Sequence, residues 1–150
     1  MNKFLKTAIA ITILALFSFE ADSQDSEKQF IFNKDVKLPG ADTWQNVKRF
    51  TPTIAEAKAA DSLAQSFIVK NSKNYMWADR IKDYYGYYRQ YVGYVSTNNE
   101  KVVFVNCFCK PHKNWKKKII NDSGGIACYF SLNVNLDTNR VYNFYINAPH

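Results

Sequence analysis

The stretch Cys128-Tyr-Phe-Ser-Leu-Asn-Val-Asn-Leu136 alternates apolar and polar residues along its whole length. Successive side chains of a β-strand point to opposite faces, so this alternation predicts a strand with one buried and one solvated face. The residues that follow, Asp137-Thr-Asn-Arg140, predict a turn in which Asn139 takes the left-handed conformation. A last strand is predicted over residues 141–146. Three of its apolar side chains are expected on one face: Tyr142, Phe144 and Ile146.

Two further strands are predicted upstream, joined as a hairpin. Residues 84–95 are aromatic and β-branched, residues 96–100 form a polar turn cluster, and residues 101–109 centre on Val102-Val-Phe-Val105. Two such runs around a short polar segment are typical of a hairpin. Together with the two strands above, they predict a four-stranded antiparallel meander.

A helix is predicted before the sheet, over residues 51–69. Thr51 could cap it, with Pro52 at the first helical position. Alternatively Thr53 caps it and Glu56 completes a capping box. The apolar residues at helical spacing are expected to face the sheet: Ala60, Leu63, Ala64, Phe67 and Ile68. Three polar residues are expected on the outer side: Lys58, Asp61 and Gln65. The predicted fold is α+β, with one N-terminal helix packed on the four-stranded antiparallel meander sheet.

The first 23 residues have the pattern of a cleavable signal peptide. Lys3 and Lys6 precede an apolar run over residues 7–19, and polarity returns at Glu20. The run is shorter than the roughly 20 residues that span a bilayer, which disfavours the alternative of a membrane anchor. Small residues in Ala21-Asp-Ser23 predict cleavage after Ser23. We therefore expect a secreted or periplasmic protein with no stable membrane span after cleavage.

The remaining chain divides into two parts. Residues 24–50 are mixed and polar and predict an irregular N-terminal arm, with a short strand at Phe30-Ile-Phe32. Residues 51–150 predict a single α+β domain. The chain carries 20 basic and 13 acidic residues, a formal net charge of +7. In an exported protein this balance favours a protein or an anionic envelope partner over nucleic acid, although it also serves solubility alone.

Two groups of residues are candidates for binding. Five lysines surround Trp115 in one connection: Lys110, Lys113, Lys116, Lys117 and Lys118. This segment is either a docking surface with Trp115 as an anchor, or a solvated loop with Trp115 folded under it. Seven of the ten tyrosines lie between residues 75 and 94, where they either grip a ligand or fill a half-buried strand. The residues selected as candidates for partner binding are Lys113, Trp115, Lys117, Tyr88 and Tyr91.

Three cysteines, Cys107, Cys109 and Cys128, predict one disulfide and one free thiol in an oxidising compartment. Cys128 should lie near residues 101–109, so either Cys107 or Cys109 could bond to it. The alternatives are buried free thiols, a Cys₃His metal site with His112, or a thiol enzyme that uses His112. Because the spacing matches no standard zinc motif, we expect no metal and no cofactor, and we assign no catalytic residue.

Three phrases resemble those of a group of small exported bacterial proteins of unassigned function. They are Tyr88-Arg-Gln-Tyr-Val-Gly-Tyr94, Val105-Asn-Cys-Phe-Cys-Lys110 and Gly124-Gly-Ile-Ala-Cys-Tyr-Phe130. The resemblance covers roughly two-thirds of the chain and implies no activity. The order of helix and meander is similar to cystatin-like and PepSY-like domains. Gln90-Tyr-Val-Gly93 is one residue shorter than the Gln-x-Val-x-Gly loop of cystatin-type inhibitors.

The sequence is compatible with two functions. The first is a non-enzymatic exported domain that binds a protein, a peptide or an envelope polymer through the tyrosine-rich strand and residues 110–118. The second is a small enzyme or ligand-carrying domain with a pocket between helix and sheet. Polar side chains at the centre of a concave sheet would favour the second, and a sheet filled by apolar side chains would count against it.

Overall fold

The structure is a computed structural model, and it describes residues 27–38 and 46–149. The predicted signal peptide and its cleavage site lie outside these residues. Within them, no helix is both long and apolar enough to cross a membrane.

The centre of the fold is an α+β arrangement with a six-stranded mixed sheet. The strands are β1 (Gln29–Ile31), β2 (Arg49–Phe50), β3 (Tyr88–Val95), β4 (Lys101–Phe108), β5 (Tyr129–Asn135) and β6 (Arg140–Ile146). Strands β3 to β6 pair in chain order and antiparallel, as the meander prediction has them. The prediction of a purely antiparallel four-stranded sheet is wrong, because β1 pairs with β3 in parallel and β2 pairs with it antiparallel.

Strands β1 and β2 share one edge of β3. Gln29 pairs with Arg89, whereas Phe50 pairs with Gly93 further along the strand. A Cβ atom on Gly93 would lie 2.6 Å from the backbone oxygen of Phe50, so only glycine allows β2 this close. The two added strands are three and two residues long, too short to carry a recognisable alternation. The strand predicted at 30–32 is present with a shift of one residue. It pairs with β3 and so belongs to the sheet.

Helix α1 (Ile54–Asn71) packs on one face of the sheet, here called the helix face. The Thr53 hydroxyl accepts a hydrogen bond from the Glu56 backbone N–H, and the Glu56 carboxylate accepts one from the Thr53 backbone N–H. The capping box at Thr53 is thus confirmed over the alternative cap at Thr51. Buried alanines let the helix approach β4 and β5 closely, and Val105 and Leu132 lie beneath them.

Asp61 is the main exception to the predicted helix orientation. The sequence pattern places it on the outer side, but its side chain is buried against the sheet, with only 2% of the residue exposed. It lies four residues after Ala57 and three before Ala64, within the buried stripe of the helix. A carboxylate is tolerated there because the sheet supplies hydrogen-bond donors and a positive charge.

Strand β6 also departs from its predicted pattern. Asn143 has a positive φ of 51°, and the pairing with β5 shifts between Ser131 and Asn133. Such a bulge changes the face to which the following side chains point. Phe144 consequently packs in the core, whereas the Tyr142 hydroxyl meets the Tyr94 hydroxyl on the opposite face. The prediction that Tyr142 shares a face with Phe144 is therefore wrong.

The face of the sheet opposite α1, here called the outer face, has a smaller core of its own. Phe32, Leu38 and Val92 are buried there, with Phe104 and Ile119 packed against them. Residues of the N-terminal arm and of the connection between β4 and β5 thus cover this face of β3 and β4. This cover positions the candidate site.

Candidate functional site

A disulfide closes the connection between β4 and β5. Cys109 bonds to Cys128, with their Cα atoms 4.9 Å apart, and the Cys109 backbone N–H also donates to the Cys128 carbonyl. Of the two pairings that the sequence left open, the structure contains the one through Cys109. Residues 110–127 are therefore a loop tied at its base, and we call residues 110–118 the lysine loop.

Cys107 is the free thiol, and it is buried on the helix face. Burial raises the pKa of its thiol, and the nearby Asp61 carboxylate raises it further. A protonated, enclosed thiol is a poor nucleophile. Because Cys109 and Cys128 bond to each other, neither offers a thiolate for the alternative Cys₃His site. No group of potential metal ligands occurs among residues 27–38 and 46–149.

The side-chain amide of Gln90 fastens the loop to the sheet. Its nitrogen donates to the backbone carbonyls of Trp115 and Lys118, the latter at 2.8 Å. Its oxygen accepts from the Ile120 backbone N–H at 3.0 Å and from the Asn106 side chain at 2.9 Å. Asn106 in turn donates to the Ile120 carbonyl. Buried polar groups of two neighbouring strands thus satisfy the backbone of residues 115–120, which form neither helix nor strand.

Trp115 is packed beneath the lysine loop. Its ring centroid lies 5.5 Å from that of Tyr88, 5.8 Å from Phe108 and 5.9 Å from Phe30, in edge-to-face orientations. Lys116 places its ammonium group 5.2 Å from the centre of the same ring. Trp115 therefore has the packed position that the sequence offered as the alternative to an exposed anchor, and it holds the loop on the outer face.

A second polar cluster supports the loop from the side of β5. The His112 Nε2 lies 3.0 Å from the Tyr129 hydroxyl, which donates to the Asp122 carboxylate at 3.2 Å. The other ring nitrogen of His112 lies 3.4 Å from the same carboxylate. Partial burial and the hydrogen bond to Asp122 raise the pKa of Tyr129. The cluster joins the beginning and the end of the loop across β5.

The five lysines of the lysine loop are all exposed. Within the described part of the chain, none of their ammonium groups forms an ion pair with a carboxylate. They lie within nine consecutive residues whose backbone is fixed by the disulfide, by Gln90 and by Trp115. The result is a dense positive patch on a backbone that needs little ordering before it binds an anion.

The candidate residues from the sequence therefore lie in different environments. Lys113 and Lys117 are exposed on the patch, and Trp115 and Tyr88 are half-buried beneath it. Tyr91 is fully buried on the helix face, away from the other four. The tyrosines of residues 84–94 do not form one ladder, since they are divided between the two faces of the sheet.

A buried charge cluster on the helix face was missed by sequence reasoning. The Asp61 carboxylate accepts hydrogen bonds from the hydroxyls of Tyr84 at 2.7 Å and Tyr91 at 2.8 Å. The Arg89 guanidinium lies 3.3 Å from the same carboxylate, and Gln29 of β1 also donates to it. Burial alone would lower the pKa of Arg89, but Tyr91 and Asp61 outweigh it and raise the pKa. The charged pair is thus enclosed by protein partners.

Among the described residues, closely packed side chains surround this cluster between helix and sheet. Asp61 and Arg89 are almost fully buried, and side chains beside them fill the interface: Ala57, Ala60, Ala64, Ile68, Val103, Val105, Phe130 and Leu132. The apolar filling is the arrangement that counts against a ligand-carrying interior. The polar side chains of the cluster bond to one another, and Arg89 also donates to the backbone carbonyls of Tyr84 and Tyr87.

Comparison of the chain with protein-family profiles, curated proteins and solved structures found no significant match.

Proposed function

We propose that this protein is a non-enzymatic exported domain that binds an anionic envelope polymer through its lysine loop. Five exposed lysines that form no ion pair with a carboxylate of residues 27–38 or 46–149 lie on a backbone fixed by Cys109–Cys128 and by Gln90, and this combination carries the proposal. The disulfide and the buried amide stabilise the fold, and they also hold the loop backbone in one conformation. A charged surface that binds repeatedly spaced anions gains affinity from such preorganisation.

The alternative of a small enzyme or ligand carrier has less support. The helix–sheet interface is filled, and the free thiol of Cys107 lies inside it. Export, which the first 23 residues predict, is consistent with the disulfide and favours a polymer or surface of the cell envelope over nucleic acid.

The proposal is tested by titrating the exported chain with polyglycerol phosphate, a phosphate polymer, and with uncharged dextran as a neutral reference. The variant Lys113→Gln/Lys117→Gln removes two charges from the loop. The matched control, Lys34→Gln/Lys37→Gln, removes two charges from exposed positions of the N-terminal arm. We expect about tenfold weaker binding for the loop variant and a much smaller change for the control.

Binding should also weaken as salt increases, since ion contacts with a polyanion release counterions. An equal loss in both variants would mean that net charge alone attracts the polymer, and the lysine loop would not be the site. Equal binding of dextran and the phosphate polymer would contradict recognition of the anion.

A further inference from the structure

An open cleft with both polar and apolar lining lies at the far end of the same loop. It has a volume of about 340 Å³ and runs between residues 121–124 and the segment after β6. Asn121, Asp122 and Ser123 form one wall, and Tyr145 and Asn147 form the other.

The walls of the cleft are tied to each other. The Asn147 side chain donates to the Asp122 backbone carbonyl, and the Asn147 backbone N–H donates to the Tyr129 carbonyl at 3.0 Å. The Tyr129 hydroxyl holds one oxygen of the Asp122 carboxylate. Gly125, with a φ of 73°, turns directly against the Tyr129 ring, where a Cβ would lie 2.9 Å away. The cleft is therefore formed before any ligand arrives.

Tyr145 supplies a flat apolar surface at this cleft. It lies opposite Ser131 on the outer face, and 61% of it is exposed. Most other rings of the outer face are covered by one another or by the loop. The electron-rich face of an aromatic ring attracts the slightly positive C–H groups on one side of a sugar ring. An exposed ring beside a polar wall complements a pyranose, which has C–H groups on one face and hydroxyl groups at its edge.

The polar wall has unused hydrogen-bonding groups. Among the described residues, the Asn121 side-chain amide and the Ser123 hydroxyl have no hydrogen-bond partner, and neither does the second carboxylate oxygen of Asp122. Together they offer amide and hydroxyl donors and several acceptors. Sugar hydroxyls both donate and accept, so they match this set.

We infer that this cleft is a binding subsite for a neutral saccharide unit, with Tyr145 stacking on the sugar ring. The Asp122 carboxylate makes the cleft unsuitable for an anionic group, whereas the lysine loop nearby suits one. The two sites together fit a glycan that contains neutral sugars and anionic groups. That last step rests on the function proposed above, but the saccharide subsite itself does not.

The test is an NMR titration of the isotope-labelled exported chain with three neutral trisaccharides: maltotriose, cellotriose and tri-N-acetylchitotriose. We expect saturable shifts at residues 121–124 and 145–149 from at least one of them. Tyr145→Phe keeps the ring and should bind as the native chain does. Tyr145→Ala should bind about tenfold more weakly, the loss of a stacking contact of about 1.4 kcal/mol. Because Tyr145 is exposed, both variants should keep the native spectrum elsewhere.

Three results would overturn the subsite: no saturable shift with any trisaccharide, shifts located away from the cleft, or unchanged affinity in Tyr145→Ala. The variant Lys113→Gln/Lys117→Gln separates the two proposals. It should retain trisaccharide binding while losing affinity for polyglycerol phosphate. If polyglycerol phosphate binding proves independent of the lysines, the proposed function fails. The trisaccharide titration still shows whether the cleft binds a saccharide.

Discussion

The backbone N–H of Ile120 donates a hydrogen bond to the Gln90 side-chain oxygen, 3.0 Å away, so one side chain of β3 determines where the β4–β5 connection lies. The same amide also donates to two backbone carbonyls of the lysine loop, those of Trp115 and Lys118. A buried glutamine in a central strand is costly unless all its bonds are made. The loop completes those bonds, and the strand in turn orders the loop.

Gln90→Leu should release the lysine loop. The substitution keeps a similar volume but leaves Asn106 and the Ile120 N–H without their acceptor, which should lower the free energy of unfolding by about 3 kcal/mol. Urea denaturation measures this change, and hydrogen exchange of the Ile120 amide reports the release. Gln65→Leu makes the same substitution at a partly exposed position of α1 and should leave the Ile120 amide protected, so it is the control. Native protection of the Ile120 amide in Gln90→Leu would contradict the assignment.

Removal of the disulfide should destabilise the protein more than removal of the free thiol does. The variant Cys109→Ser/Cys128→Ser opens a loop with a sequence separation of 19 residues, and a closed loop of this size contributes about 3 kcal/mol. Cys107→Ala only shortens a buried side chain. Denaturation midpoints of both variants give the comparison.

Alkylation of the native chain provides an independent check on the same bond. One thiol should react after denaturation without reductant and none before it, because Cys107 is buried. Two or three reactive thiols in the denatured, unreduced chain would show that Cys109 and Cys128 are not bonded.

Asp61→Asn should strongly destabilise the fold. It leaves the buried guanidinium of Arg89 without its carboxylate, a change that typically costs about 3–5 kcal/mol. The comparison pair is Lys101 and Glu56, whose charged atoms are 2.8 Å apart at the surface, so Lys101→Gln should have a far smaller effect. Thermal denaturation of the two variants compares their losses of stability. A similar shift of the denaturation midpoint in both variants would mean that burial does not make the Asp61–Arg89 pair more stabilising than the surface pair.

The stability of the protein should fall at alkaline pH. Burial and the neighbouring Asp61 carboxylate raise the pKa values of Tyr84 and Tyr91 above their ordinary value near 10. A raised pKa in the folded state means that the unfolded state loses its protons first. The part of the stabilisation that comes from these two tyrosine hydroxyls is therefore complete below about pH 10 and declines as pH rises above it.

The variant Tyr91→Phe tests the origin of this decline. It removes one of the two ionisable hydroxyls with little change in volume, so stability should fall less steeply above about pH 10 than in the native chain. Urea midpoints across the alkaline range measure the slope, and tyrosinate absorbance shows whether ionisation accompanies unfolding. Tyr145→Phe is the control because its side chain is largely exposed. Equal slopes in both variants would exclude Tyr91 as a source.

The features of the fold that could be predicted from sequence are those with a long, local signal. The alternation over 128–136 and the capping box at Thr53 each depend on neighbours in the chain, and both are present in the structure. The left-handed Asn139 in the last turn is likewise confirmed, with a φ of 55°. Such patterns survive because no distant contact is needed to produce them.

The features that were missed depend on contacts between distant segments. Strand β2 and the parallel pairing of β1 are determined only by contact with β3, and the burial of Asp61 becomes acceptable only when Arg89 and Tyr84 lie opposite it. A signal for Asp61 was present nonetheless, because it continues the row of Ala57, Ala64 and Ile68 at spacings of three and four residues. The position of Trp115 depends on contacts with the rings of Tyr88 and Phe108, which belong to strands β3 and β4 of the sheet. The sequence alone therefore left open whether Trp115 is an exposed anchor or is packed beneath the loop.

The parallel pairing of β1 with β3 also has a consequence for the order in which the chain can fold. Gln29 leaves the ribosome long before its partner Arg89, and helix α1 is made between them. Strand β1 cannot be paired until β3 has appeared, whereas β3 to β6 can assemble through successive local hairpins. Closing the longer loop carries the larger entropic cost. We therefore expect the meander to form first and the N-terminal strand to join it in a later step.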